Sequence, residues 1–143
     1  MIAVDTNILV YAHRRDLPLQ AAARHCMVAL AEGDREWGIP LPCIHEFLAV
    51  VTNERAFKPA STIDEAFDQV SAWLDSPRCR LLHATDEHLP VLEAITRKAK
   101  ARGGQFHDAR VAAICIENGI TELWTVDRDF GRFKQLKTAN PLV

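Results

Sequence analysis

The sequence predicts an α/β protein, a parallel sheet covered by helices on both faces, in a single domain that spans residues 1–143. The main observation is that short apolar segments alternate with segments whose apolar residues recur at helical spacing, an order typical of parallel sheets. The chain has 143 residues, which is enough for one domain with a sizeable core. It contains no internal repeat, low-complexity tract or linker that would divide it.

The composition is that of an ordinary globular protein and predicts a cytoplasmic location. Apolar residues make up 48% of the chain and charged residues 25%. No apolar run approaches the roughly 20 residues that a membrane span requires, and the first residues do not resemble a signal peptide. The net charge of −2 argues against binding nucleic acid by bulk charge, although a local basic rim stays compatible with it. The four cysteines form no C-x-x-C pair and are expected to be reduced, and Cys26, Cys43 and Cys115 are expected to be small core residues.

The first strand and the first long helix are predicted from apolar spacing. Residues 2–4 are apolar and predict a short buried strand. Between about 18 and 32, apolar residues recur every three or four positions, which predicts an amphipathic helix. Pro18 stands near its start and Gly33 at its end, where proline and glycine favour helix boundaries.

A second strand and two further helices follow. Residues 37–41 predict a strand, and Pro40 indicates that this strand is an edge or ends there. Residues 43–53 carry an apolar stripe at helical spacing. Thr62 and Glu65 have the spacing of a capping box, so a helix is expected to begin there. The predicted apolar stripe of that helix is Ile63, Phe67, Val70 and Leu74.

The last third of the chain alternates in the same way. Asp86 is predicted to cap a helix that extends to about Arg102, with basic residues at its end as the helix dipole favours. Gly103-Gly104 interrupts the chain, and the segment 106–118, apolar on all sides, predicts a buried helix. The remaining predicted strands are residues 81–82, residues 122–126 and an edge strand at residues 141–143.

Four acidic residues are expected at one edge of this sheet. Asp5 and Asp127 follow predicted strands. Asp108 lies in the first turn of the 106–118 helix, and Glu46 lies about one turn into the 43–53 helix. Ligands of parallel sheets bind beyond the carboxyl ends of the strands, where helix N-termini also point. Helix N-termini lower the pKa of carboxylates, so these acids are predicted to be ionised.

Converging carboxylates repel each other, and a hard divalent cation would relieve that repulsion. Mg²⁺ and Mn²⁺ take oxygen ligands, and either ion can polarise a phosphoryl oxygen and activate a bound water. The sequence therefore predicts a metal site for phosphodiester hydrolysis. Each acid also has a structural interpretation. Asp5-Thr6-Asn7 could cap a short helix at 7–13, Asp108 could complement a helix dipole, Glu46 could be solvated, and Asp127 could belong to a turn.

These motifs, in this order, resemble those of the PIN-domain nucleases, and more narrowly the VapC toxins of bacterial type II toxin–antitoxin modules. The matching motifs are Asp5-Thr6-Asn7, Ile44-His45-Glu46-Phe47, His107-Asp108-Ala109, Thr125-Val126-Asp127-Arg128-Asp129-Phe130 and the final Asn140-Pro141-Leu142. The resemblance implies a three-layer α/β/α sandwich with a mostly parallel central sheet. It implies a Mg²⁺-dependent endoribonuclease, with Mn²⁺ as an alternative ion, that a cognate antitoxin neutralises. It also implies a homodimer, for which the helices at about 18–32 and 43–53 are candidate interfaces.

The resemblance also assigns roles to residues. Asp5 and Asp108 would be the principal metal ligands, and Glu46 and Asp127 the remaining acids. The residues that would orient these carboxylates are Thr6, Asn7 and Thr125. Asp129 stays open between a turn residue and an additional acid.

Hydrolysis by a metal-activated water would leave a 5′-phosphate and a 3′-hydroxyl. The candidate contacts to RNA phosphates are Arg14, Arg15, Arg110 and Arg128. Aromatic residues make up only 7% of the chain, so extensive base stacking is not expected.

Two other functions fit the same residues. The first is a metal- or RNA-binding module of the same fold that does not cleave, against which the intact set of four acids argues. The second is a phosphatase that forms an aspartyl-phosphate on Asp5. Such enzymes typically have an aspartate two residues after the nucleophile, and Asn7 stands there in this chain.

Overall fold

The computed structural model describes residues 1–143 and confirms the predicted α/β architecture. Five strands form one sheet in the order β3-β2-β1-β4-β5, and every neighbouring pair is parallel. The strands are β1 (Ile2–Val4), β2 (Trp37–Pro40), β3 (Cys79–Leu82), β4 (Glu122–Trp124) and β5 (Lys137–Ala139). Because β1 is central, β2 and β3 extend the sheet on one side of it, and β4 and β5 extend it on the other.

Six helices cover this sheet. They are α1 (Thr6–His13), α2 (Gln20–Glu32), α3 (Leu41–Val51), α4 (Ile63–Leu74), α5 (His88–Ala99) and α6 (Gln105–Glu117). Crossovers between parallel strands are right-handed, so the reversal of strand order places the first four helices on one face and the last two on the other. Helix α1 packs against α2 and α3, while α5 packs against α6. The result is the predicted three-layer sandwich.

The core is one continuous cluster of 30 buried hydrophobic residues. Phe47 lies at its centre with no exposed surface and meets the rings of His13 and Trp73 edge-on, with centroids 5.3 and 5.0 Å away. Gly38 in β2 leaves room for the Leu82 side chain of β3, because a Cβ there would lie 2.8 Å from Cγ of Leu82. No helix is long and apolar enough to cross a membrane.

The last strand differs from the prediction. It comprises Lys137–Ala139 rather than residues 141–143, and it pairs in register with β4. The backbone N–H of Thr125 donates to the carbonyl of Ala139 at 2.9 Å, which continues this pairing beyond β4. Pro141 lacks an N–H, so the apolar C-terminus cannot extend the ladder in the same way.

The start of α5 also differs from the prediction. Asp86 does not cap it: the N-cap residue is Glu87, and its side chain makes no capping bond. Thr85 organises this turn instead, because its hydroxyl accepts the Glu87 N–H at 3.2 Å and its own N–H donates to the buried Glu117 at 2.6 Å. Glu117 lies 32 residues away in the chain, so local sequence does not reveal this anchor.

Helix α4 has the predicted capping box but buries a different face. Thr62 and Glu65 exchange both bonds of the box. However, Ile63 and Phe67 are 69% and 53% exposed, and the residues that enter the core are Ala66, Val70 and Trp73. The predicted stripe was therefore wrong at its first two positions, because Trp73 rather than Phe67 packs on Phe47.

Candidate metal centre

The centre of the site is the point where the strand order reverses, between β1 and β4. Val4 is opposite Trp124, and the Asp5 N–H donates to the carbonyl of Trp124 at 3.0 Å. Asp5 and Thr125 therefore leave the two strands side by side. Ligands of open parallel sheets bind at this position.

Four donors hold the carboxylate of Asp5. Its Oδ1 accepts the Thr6 N–H at 2.8 Å and the Cys43 thiol at 3.5 Å. Its Oδ2 accepts the Thr125 hydroxyl at 2.7 Å and the Asn7 amide at 3.3 Å. The bond from Thr6 makes Asp5 the N-cap of α1, so the capping interpretation and the site interpretation both apply. The side chain is 6% exposed and has no freedom to turn away.

The three residues predicted to orient the acids all contact this network. Asn7 also donates to the Thr125 hydroxyl at 3.2 Å and accepts the Val126 N–H at 3.3 Å. Thr6 donates its hydroxyl to Oε2 of Glu46 at 3.3 Å. The first turn of α1 thus connects β4 on one side to α3 on the other.

Cys43 is the contact that sequence reasoning missed, because an apolar setting favours a packing role for cysteine. It lies three residues before Glu46 on α3, and residues at this spacing share a helix face. Complete burial raises the pKa of its thiol well above the ordinary range, so the group stays neutral and keeps its proton to donate to Asp5. All four cysteines are free thiols; Cys43 and Cys115 are buried as predicted, whereas Cys26 is only partly buried.

A second group of acids lies beside Asp5. Asp108, Asp127 and Asp129 each offer a carboxylate oxygen, and these atoms lie within 4.8 Å of one another. Asp127 caps a 3₁₀ turn at Arg128–Arg132 by accepting the Asp129 N–H at 2.8 Å. That turn folds Asp129 back toward Asp108. The residue whose role stayed open in the sequence therefore belongs to the tightest acidic cluster in the protein.

Burial, and after it the neighbouring acids, raise the pKa values of Asp108 and Asp5, contrary to the prediction that helix N-termini would lower them. The pKa of Asp108 rises to about 6, first because burial disfavours its charge and then because Asp127, Asp5 and Asp129 are negative. Burial also raises the pKa of Asp5, against the opposing effect of its hydrogen bonds from Thr125 and Thr6. Without a bound cation, ionising these carboxylates in the folded protein therefore costs free energy.

One cavity of about 810 Å³ brings the predicted acids together: Asp5, Glu46, Asp108 and Asp127 all line it. Of the four arginines predicted to contact RNA, Arg110 lies in its wall, as do His45 and His107. Arg128 is exposed at the start of the 3₁₀ turn. Arg14 and Arg15 do not line this cavity. They line a second cavity of about 690 Å³ between the end of α1, α2 and α4.

The donor set fits a hard divalent cation. All the clustered ligands are carboxylate oxygens, which Mg²⁺ and Mn²⁺ prefer, and their mutual repulsion is what such an ion removes. This repulsion adds to the effect of burial in raising the pKa of Asp108. Histidine and cysteine ligands, which zinc favours, are not part of this cluster.

Comparison with known proteins identifies the fold family. The profile of the PIN domain matches residues 2–136. The ribonuclease VapC43 of Mycobacterium tuberculosis is 36% identical over 142 residues, which cover 99% of this chain and 96% of the relative. The chain belongs to the PIN-domain family, among the VapC ribonucleases. The family resemblance predicted from the motifs is thereby confirmed.

Solved structures of VapC proteins have the same fold. The VapBC2 complex of Rickettsia felis, bound to a DNA fragment of its promoter, aligns with a TM-score of 0.72 at 17% identity and covers 98% of both chains. The VapC20 toxin of Mycobacterium tuberculosis, which cleaves the sarcin–ricin loop, aligns with a TM-score of 0.65 at 17% identity and covers 92% of this chain and 93% of its own. At this identity the likeness concerns the fold.

Proposed function

We propose that this VapC protein is a Mg²⁺-dependent endoribonuclease and the toxin of a type II toxin–antitoxin module. The observation that carries the proposal is the meeting of Asp5, Glu46, Asp108 and Asp127 in one cavity, with Asp129 added to the cluster. The relatives that share at least 30% identity over nearly the whole chain are named ribonucleases, which supports the same activity here.

Asp108, Asp127 and Asp129 would hold the ion, and Asp5, which lies outside this group of three, would face it from the wall of the same cavity. A bound Mg²⁺ would supply charge to polarise a phosphoryl oxygen and lower the pKa of a water molecule. Mn²⁺ has the same ligand preferences and is expected to substitute. The protein contributes the geometry: Thr6, Asn7, Thr125 and Cys43 hold Asp5 in one orientation before any ligand arrives.

Glu46 would take the proton of the attacking water. Its Oε2 accepts the Thr6 hydroxyl and the residue lines the cavity, which makes Oε1 the candidate proton acceptor. Arg110 in the cavity wall is a candidate to bind an adjacent phosphate of the substrate. In-line attack at phosphorus would leave a 5′-phosphate and a 3′-hydroxyl, and the 2′-hydroxyl takes no part.

The proposal includes two protein partners. A cognate antitoxin would neutralise the enzyme, and an antitoxin arginine would satisfy the clustered carboxylates well. Support comes from the solved relatives, which include the VapBC2 complex and FitAcB of Neisseria gonorrhoeae. A second copy of the chain would form a homodimer, which sedimentation of the purified protein would test.

The test of the function is RNA cleavage by the protein purified without antitoxin. Single-stranded RNA and transfer RNA should be cut in Mg²⁺, with the RNA ends bearing 5′-phosphates. EDTA and Asp108→Asn should each abolish cleavage. Asp86→Asn, which changes an exposed acid outside the cavity, should leave the rate unchanged. Cleavage that persists in EDTA and in Asp108→Asn would contradict the metal mechanism, whereas binding of RNA without cleavage would favour the binding module.

A further inference from the structure

Part of the lining of the acidic cavity is apolar and has no role in catalysis. This apolar branch is defined by Val10, Tyr11, Leu17, Ala49, Val50 and Phe57. Val10 lies five residues after Asp5 on α1, about 8 Å along the helix axis. The branch therefore begins within reach of a single nucleotide from the carboxylates.

Phe57 is the phenylalanine of this apolar branch. The Arg14 guanidinium lies over its ring, 4.3 Å from the centroid. Phe57 lines the acidic cavity, and Arg14 lines only the second cavity. The phenyl ring therefore has Arg14 on one face, part of it packs against the core, and part of it lines the acidic cavity.

Arg14 is itself held in place, so the ring rests on a rigid support. Its Nε and Nη2 donate to the two carboxylate oxygens of Asp16 at 2.9 and 2.8 Å. Its Nη1 donates to the buried hydroxyl of Ser61 at 3.4 Å. The Arg14 side chain is only 12% exposed. A cation over an aromatic face is a stabilising arrangement, and here it fixes the plane of an otherwise half-exposed ring.

We propose that this apolar branch receives one unpaired nucleobase of the RNA substrate, stacked on Phe57, while a neighbouring phosphate lies at the acids. The proposal rests on the ribonuclease function proposed above. Every base has an apolar face that stacks on an aromatic ring. Tyr11 lies in the same branch and offers a hydroxyl to a base edge. Arg110, His45 and His107 line the same cavity around the acids and suit the charged backbone.

A base paired in a duplex cannot stack on Phe57, so the proposed site requires one unpaired nucleotide next to the cleaved bond. One occupied aromatic position also agrees with the low aromatic content of the chain. The branch thus selects unpaired RNA, while the acids act on its backbone.

The first test compares Phe57→Leu with Phe67→Leu on a single-stranded RNA oligonucleotide that the native protein cleaves. Phe67 is the matched control, because it is a half-exposed phenylalanine on α4 that lines neither cavity. We expect Phe57→Leu to raise KM about tenfold with kcat within twofold, in the range that stacking of one base supplies. Phe67→Leu should change neither. Equal KM values for the two variants would overturn the proposal.

The second test needs no change in the protein. Single abasic positions are placed in turn along the same oligonucleotide and cut by the native protein. One position, within two nucleotides of the cleaved bond, should raise KM about tenfold, and that same substitution should have no added effect in Phe57→Leu. A flat profile in the native protein, or additive effects in the variant, would refute the stacking site even if Phe57→Leu folds poorly.

Failure of this site and failure of the nuclease function give different results. If the native protein cleaves RNA and both tests are negative, the nuclease stands and the base site falls. If it cleaves nothing, binding of fluorescent single-stranded RNA in Ca²⁺ decides the base site. Tenfold weaker binding of RNA by Phe57→Leu than by Phe67→Leu would then support the base site. Equal binding would rule out the base site and favour a protein side chain as the ligand of the apolar branch.

Discussion

The two ends of helix α1 differ in whether their charged side chains are paired with opposite charges. At its N-terminus, Asp5 lies beside Asp108, Asp127 and Asp129, and their nearest cation is Arg132, 3.8 Å from Asp129. At its C-terminus, Arg14 is paired with Asp16 through two hydrogen bonds. Both ring nitrogens of His13 also have partners, Ser61 and Gln69.

This difference separates a site kept for a ligand from a site that supports structure. Folding alone would favour paired charges, as at the C-terminal end. Carboxylates that raise each other's pKa reduce stability unless something binds them, so their persistence at one cavity indicates function. The Arg14 end of α1 contributes to the acidic site indirectly, because Arg14 supports the ring of Phe57, which lines the acidic cavity.

The largest effect is expected for Asp108→Asn, which should separate activity from stability. We expect cleavage to fall at least 10²–10³-fold, the range for removing one essential electrostatic group. The metal-free variant should nevertheless melt at a higher temperature than the native protein at pH 7, because one repelling charge is gone. Melting curves in EDTA test the expected rise in melting temperature, and single-turnover rates in Mg²⁺ test the expected fall in cleavage. A variant that loses both would show that Asp108 is structural.

A smaller effect is expected at Cys43, where two variants differ only in a donor. Cys43→Ala removes the bond to Asp5, and Cys43→Ser keeps a hydroxyl in nearly the same place. A hydrogen bond contributes about 1 kcal/mol, so Cys43→Ala should weaken Mn²⁺ binding about fivefold. Cys43→Ser should stay within twofold of the native protein. Titration calorimetry measures this, and equal affinities for the two variants would show that Cys43 only packs.

The stability of the metal-free protein should fall as the pH rises from about 4 to about 6. The folded-state pKa of Asp108 is about 6, above its unfolded value of 3.8. Protonation of Asp108 therefore stabilises the folded state fully below pH 3.8, and this stabilisation is lost as the pH rises to 6 and above. The pKa shift corresponds to about 3 kcal/mol in full, and solvent screening at this half-buried group reduces it to roughly 1 kcal/mol. Urea unfolding in EDTA should show this slope, and Asp108→Asn should flatten it. If both proteins showed the same slope, the pH dependence of stability would belong to a group other than Asp108.

The smallest effect is expected for Asp16→Asn at the other end of α1. Asp16 is exposed, and its pKa is lowered by the hydrogen bond from Arg14. Exposed ion pairs contribute little to stability, so the melting temperature and the cleavage rate at saturating RNA should both stay unchanged. A large loss of activity would mean that Asp16 belongs to the site and that the two ends are less distinct than their charges indicate.

Much of the fold and of the acidic site could be predicted because local patterns encode it. Residues 2–4, the capping box at Thr62 and Glu65, and the buried helix at 106–118 depend on neighbours in sequence. The four predicted acids needed only one further rule, that the carboxyl ends of parallel strands share an edge. The exposed stripe of α4 and the position of β5 were missed, because packing partners and strand pairing decide them.

The sequence by itself determined the order of strands and helices, the family motifs and the types of ligand available for an ion. Only the tertiary structure decided that Asp129 joins Asp108 and Asp127, that Cys43 donates to Asp5, and that Arg14 supports Phe57 instead of lining the acidic cavity. The physical reason is distance along the chain. Asp5 and Thr125 are 120 residues apart, and the register between β1 and β4 alone brings them to 2.7 Å.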